Sequence, residues 1–123
     1  MYKRILLIMV MVLTLANISY AKEQNMEYVG TIKNTDLYVE RDNYVANVND
    51  LCCVVIIDNK SNGKSFAGLL RILDKDMKYQ VIEGALFDDK GKLVNEIDKP
   101  LTIRNYYNGS GIEMIAKHIR AKK

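Results

Sequence analysis

The pattern of apolar and polar positions divides the chain into two unlike parts. Lys3 and Arg4 precede an unbroken apolar run from Ile5 to Leu13, and small residues follow at Ser19 and Ala21. A cationic start, an apolar centre and a small-residue ending are the parts of a secretory signal peptide, in that order. The pattern predicts a leader over residues 1–21, cleaved after Ala21, and a single mature domain over residues 22–123. A membrane anchor needs roughly 20 consecutive apolar residues, and Thr14, Asn17 and Ser19 interrupt this run. A lipid tether needs cysteine at the first mature position, which is Lys22. The expected location is therefore the periplasm, the cell surface or the medium, with no membrane-spanning segment left after cleavage.

Beyond the leader, turn residues recur at short intervals and the segments between them alternate, as strands of consecutive hairpins do. Met26 to Lys33 sets Tyr28 and Ile32 against Glu27, Val29 and Thr31. Leu37 to Arg41 is a second strand, Asp42-Asn43 predicts a turn, Tyr44 to Val48 is extended again, and Asn49-Asp50 predicts a reversal. Leu51 to Ile57 is a continuous apolar run rich in Val and Ile, the pattern of a central strand covered on both faces. Asn62-Gly63 favours positive φ in the following loop, and Phe66 to Leu73 answers as the next strand. Lys75-Asp76 closes a tight hairpin into Met77 to Phe87, where Gly84 marks a bulge or a close backbone approach. Asp88-Asp89-Lys90-Gly91 turns into Lys92 to Ile97, and Pro100 ends that strand.

The period then changes from two to 3.6. Ile112, Ile115, Ala116 and Ile119 share one helical face, with Glu113, Lys117 and Arg120 elsewhere. Ser110 followed by Glu113 predicts a capping box. A helix this short is marginal alone in water, so its isoleucine face must pack on the sheet. The fold class that follows is α+β: a curved antiparallel sheet of about six strands with one C-terminal helix on one face.

Composition narrows the function classes. The chain holds eighteen Lys plus Arg against fifteen Asp plus Glu, and removal of Lys3 and Arg4 with the leader leaves one excess positive charge. So small an excess argues against nucleic-acid binding, which requires a basic face able to displace counterions from phosphates. The tail cations Lys117, Arg120, Lys122 and Lys123 complement the negative end of a helix. Cys52 and Cys53 are adjacent and cannot staple the fold, because neighbours in a strand point to opposite faces. The expected state is two buried free thiols. An interchain disulfide, and with it a dimer, is the alternative, ahead of metal or redox chemistry.

No catalytic constellation is written in the chain. Its one histidine, His118, stands among lysines near the chain end, reads as a solvated helix residue, and has no carboxylate brought to it by sequence. HExxH, GxSxG, P-loop and GxGxxG patterns do not occur, and one histidine with two adjacent cysteines is a poor zinc set. Asp88 and Asp89 are explained by turn chemistry, and their loop lacks the alternating oxygen ligands of a calcium site. The expectation is a non-enzyme without cofactor or metal. Tyrosines supply most of the aromatic surface. Tyr28 and Tyr79 read as packing within strands, whereas Tyr106 and Tyr107, in the loop before the helix, are the candidate binding residues.

Several stretches taken together resemble the surface-adhesin protein E family of bacterial envelope proteins over nearly the whole mature chain. They are Tyr28-Val29-Gly30, Leu37-Tyr38-Val39-Glu40 and Val54-Val55-Ile56-Ile57, and above all the segment from Met77-Lys78-Tyr79-Gln80-Val81 through Gly84 to Asp88-Asp89-Lys90-Gly91. Lys92-Leu93-Val94, a proline and a short terminal helix complete the order. The resemblance implies a strongly bent antiparallel sheet with the helix against its concave face. Many members tie a strand end to the helix end by a disulfide; here those places read Leu73-Asp74-Lys75 and Ile119-Arg120, so that staple is missing. No functional residue transfers.

The functional expectation is an exported, non-catalytic module that binds a protein partner through sheet edges, loops and tyrosines. The resemblance implies an adhesin contacting host or matrix proteins. The alternative is a periplasmic inhibitor or immunity-type protein that binds one partner, and a small-ligand carrier would require a cavity under the helix.

Overall fold

A computed structural model describes residues 26–122, apart from the side chains of residues 42 and 43. The expected leader, residues 1–21, lies outside them. Seven strands and one helix follow in order: β1 (Met26–Ile32), β2 (Thr35–Asn47), β3 (Asp50–Asn59), β4 (Ser65–Leu73), β5 (Lys78–Phe87), β6 (Leu93–Ile97), β7 (Arg104–Asn105) and α1 (Gly111–Ala121). The sheet is an antiparallel meander in the order β1-β2-β3-β4-β5-β6, with the two-residue β7 paired to β5 beside Lys78 and Tyr79. This is the expected α+β architecture with a curved sheet, and register shifts in four of the strand pairs provide local bends.

Tight turns account for the meander. Ile32 pairs with Thr35 across Lys33 and Asn34, which both adopt positive φ (48° and 65°), the requirement of a type I′ hairpin. Asn49 (φ 57°) and Met77 (φ 53°) serve the same purpose at the reversals of the opposite end, and Gly63 and Gly91 at the reversals on the same end as Lys33 and Asn34. One expected turn is absent. Asp42-Asn43 does not reverse the chain; β2 runs on through it, and the register slips from Val39 opposite Val55 to Tyr44 opposite Cys53. Both sides of the slip still pair with β3, so the polar residues are accommodated by a bulge within one long strand.

The two faces of the sheet carry separate cores. Val54, Ile56, Ala67, Leu69, Ala85 and Phe87 form one, joined by Met26. Leu51, Cys53, Val55, Leu70 and Ile72 form the other, with Leu37 and Val39, beneath Ile115, Ala116 and Ile119 of the helix. Strand β3 therefore contributes buried side chains to both faces, as its unbroken apolar run requires. Gly68 and Gly84 face each other across β4 and β5, and the Phe66 ring covers both. A Cβ at Gly68 would lie 2.4 Å from that ring, and one at Gly84 would lie 2.7 Å from it. The close backbone approach expected at Gly84 is made by the Ala67 carbonyl, 2.8 Å from such a Cβ, and the aromatic ring is laid on the glycine pair in addition.

Candidate interaction surface

The segment leading into α1 is held at both ends. The Tyr106 amide donates to the Met77 carbonyl at 2.9 Å, its hydroxyl donates to the Asp74 carbonyl at 3.3 Å, and its ring joins the core beneath the helix, 9% exposed. Ser110 caps the helix by accepting the Glu113 amide at 3.3 Å. The return arm of the capping box is displaced by one residue. Glu113 Oε1 accepts the Gly109 amide at 2.8 Å, while the Ser110 amide donates to the Tyr107 carbonyl at 3.1 Å. Between these anchors Tyr107 stands 68% exposed. The structure thus separates the two candidate binding tyrosines: Tyr106 positions the loop, and Tyr107 presents its ring to solvent. Their types are identical, and only the anchoring contacts tell them apart.

The other strand tyrosines also divide. Tyr79 packs against the helix-side core. Tyr28, expected to pack, is 53% exposed on the edge strand β1, its ring 5.5 Å from Tyr38 and its hydroxyl bonded to Thr31. An edge strand has a neighbour on one side alone, which leaves such a ring half covered.

His118 is not the solvated residue that its lysine neighbours suggested. Its Nε2 lies 3.2 Å from Glu27 Oε1, and Lys122 takes the same carboxylate oxygen. The hydrogen bond from Lys122, followed by that from His118, holds the Glu27 carboxyl below its usual range. The carboxylate comes from β1, distant in sequence, so periodicity within the helix could not reveal it. This cluster fastens the helix end to the sheet edge. Arg120 makes a comparable fastening to Asp74. The tail cations Arg120 and Lys122 thus have specific carboxylate partners, more than complements to the helix dipole.

Cys52 and Cys53 carry free thiols on opposite faces of β3. Cys53 is buried, and burial pushes its thiol up to about 12. Cys52 is half-buried beside Arg71 and Asp50, a correction to the expectation that both would be covered; burial, with Asp50 adding to it, raises its thiol as well. Asp88 Oδ1 accepts the amides of Lys92 and Lys90 at 2.8 and 2.9 Å, and these bonds hold its carboxyl below the ordinary range. A carboxylate so engaged is a turn-forming group. Among the described residues no group of three or more His, Cys, Asp or Glu converges as a metal site would require. No described helix is long and apolar enough to cross a membrane.

Two depressions border these features. One beside the helix is lined by Met77, Tyr106, Ala116 and Arg120, and is an open trough, not an enclosed cavity. The other, at the far end of the sheet, is an apolar groove of about 470 Å³ formed by Ile57, Phe66, Leu86 and Val94. Leu86 and Val94 are 38% and 65% exposed. Aromatic and aliphatic surface is thus exposed on a hydrogen-bonded sheet. No family model, curated protein or solved structure matches this chain.

Proposed function

We propose that the protein is an exported, non-catalytic binding module of the bacterial cell envelope, acting as an adhesin that contacts host or matrix proteins. The observation that carries the reading is Tyr107, whose ring is exposed on a loop anchored by Tyr106, Ser110 and Glu113. An aromatic ring on a pre-ordered loop offers contact area at little cost in conformational entropy, the property that binding surfaces select. The leader pattern supports export, the resemblance to the surface-adhesin protein E family supports adhesion, and the open trough beside the helix gives a small-ligand carrier no enclosed site.

Export is tested by amino-terminal sequencing of the protein recovered from fractionated cells; a start at Lys22, or within a residue or two of it, is expected, and intact Met1 in membranes would refute cleavage. Binding is tested by pull-down with the wild-type protein and a Tyr107→Ala variant. Capture of matrix proteins by the wild type and their loss in the variant, at unchanged melting temperature, is the expected result. Tight capture of one secreted enzyme or toxin, with no matrix protein, would replace the adhesin reading by that of a periplasmic inhibitor or immunity protein.

A further inference from the structure

Strand β6 closes one side of the sheet. It pairs with β5 along Gly84 to Phe87, and β7 takes the other half of the same side of β5, so β6 has no neighbouring strand on its outer edge among the described residues. An open edge presents backbone donors and acceptors to any extended chain, and proteins commonly blunt such edges with charge. Any mixture of charges would suffice for blunting. The charges found here stand in mirrored order about Val94: Asp89, Lys90 and Lys92 precede it, Glu96, Asp98 and Lys99 follow it, and all six are exposed.

The geometry points to a second copy of this chain as the occupant of that edge, added antiparallel, so that two sheets join through β6 about a two-fold axis. An axis through Asn95 sets Lys92 opposite Asp98 and Leu93 opposite Ile97, each twice. An axis through Val94 sets Lys92 opposite Glu96 and Lys90 opposite Asp98. In either register unlike charges meet, and opposite-charge cross-strand pairs favour pairing. A parallel copy would bring like charges together. An isologous contact of this kind is self-complementary, and closes at two subunits.

Apolar surface reinforces the choice. The groove formed by Ile57, Phe66 and Leu86 reaches the edge at Val94, so a strand laid against β6 extends covered surface from an apolar margin. Within the opposite edge strand, β1, the one charge is Glu27, as Glu96 is within β6, but Glu27 is already held by Lys122 and His118. A contact of one short strand is small, and the dimer is expected to dissociate on the order of micromolar concentration.

The test is sedimentation equilibrium on the chain recovered from expressing cells, over a concentration series in low salt. The wild type should pass from monomer to dimer. Lys90→Glu with Lys92→Glu should raise the dissociation constant at least tenfold, as should Glu96→Lys with Asp98→Lys. An equimolar mixture of these two variants should dimerise again, and so should a single chain carrying all four reversals, because each restores unlike charges across the axis. Circular dichroism melts of every variant separate loss of association from loss of fold. A wild type that remains monomeric at millimolar concentration would overturn the proposal and leave the charges as edge protection. A dimer indifferent to the reversals would place the interface elsewhere, and recovery of β6 paired with a strand of another protein would exclude the second copy.

Discussion

Arg120 grips Asp74 with two parallel bonds, Nε to Oδ2 and Nη2 to Oδ1, each 2.8 Å long, and its Nη2 also donates to the Asn47 carbonyl at 2.6 Å. One guanidinium thereby joins the end of α1 to the turn after β4 and the end of β2. A planar fork fits a carboxylate and a carbonyl together, which an ammonium on a flexible stem does not. Arg120→Ala is expected to lower the midpoint of urea denaturation, because Asp74 and the Asn47 carbonyl lose their shared donor. Arg120→Lys should recover less than half of the loss, as read by urea denaturation.

The helix is held chiefly by burial. Ile115 and Ile119 are fully buried against the sheet. Ile115→Ala should cost roughly 2–5 kcal/mol, a large share of the stability of an ordinary domain. His118→Ala should cost less than about 1 kcal/mol, since Lys122 still holds Glu27 and the pair is partly solvated. Thermal melts of the two variants should therefore separate clearly, with the isoleucine variant far below the parent.

Acid should loosen the same end of the molecule. Glu27 lies below its ordinary 4.5 because of the bonds from Lys122 and His118, and Asp74 below its ordinary 3.8 because of the bond from Arg120. A carboxyl whose folded pKa is depressed binds protons more tightly in the unfolded chain. Its contribution is complete above the unfolded value and is lost as pH falls through the folded one. Stability should be level above about pH 5 and decline below the ordinary carboxylate range. Glu27→Gln should flatten part of that decline, whereas an unchanged acid profile would contradict the assignment.

Thiol labelling should distinguish adjacent cysteines. Cys53, with its thiol pushed up to about 12, should stay unmodified by a maleimide in native protein and react on unfolding. Cys52, half-buried with a raised thiol, should label slowly without denaturant. Peptide mapping by mass spectrometry reads both sites, and rapid native labelling of Cys53 would contradict its burial.

Local chemistry made most of this architecture legible. The alternation of strands, the apolar run of β3, the isoleucine face of α1 and the Ser110 cap depend on residues near one another in the chain, so period and turn chemistry reveal them. The same logic misread Asp42-Asn43, because a polar pair suits a bulge as well as a turn and only pairing with β3 decides between them. Tyr106 and Tyr107 are indistinguishable as letters. One is buried by Met77, Asp74 and the helix, and its neighbour is left exposed. Glu27 with His118, and Asp74 with Arg120, join groups 91 and 46 residues apart. Neither pairing has a local signal, since a carboxylate is as soluble unpaired as paired until a fold brings a cation to it. The sequence by itself determined which segments extend, which one coils and which faces are apolar. The tertiary structure decided which polar groups meet and which tyrosine faces water, because those outcomes depend on distances that only the assembled sheet and its docked helix define.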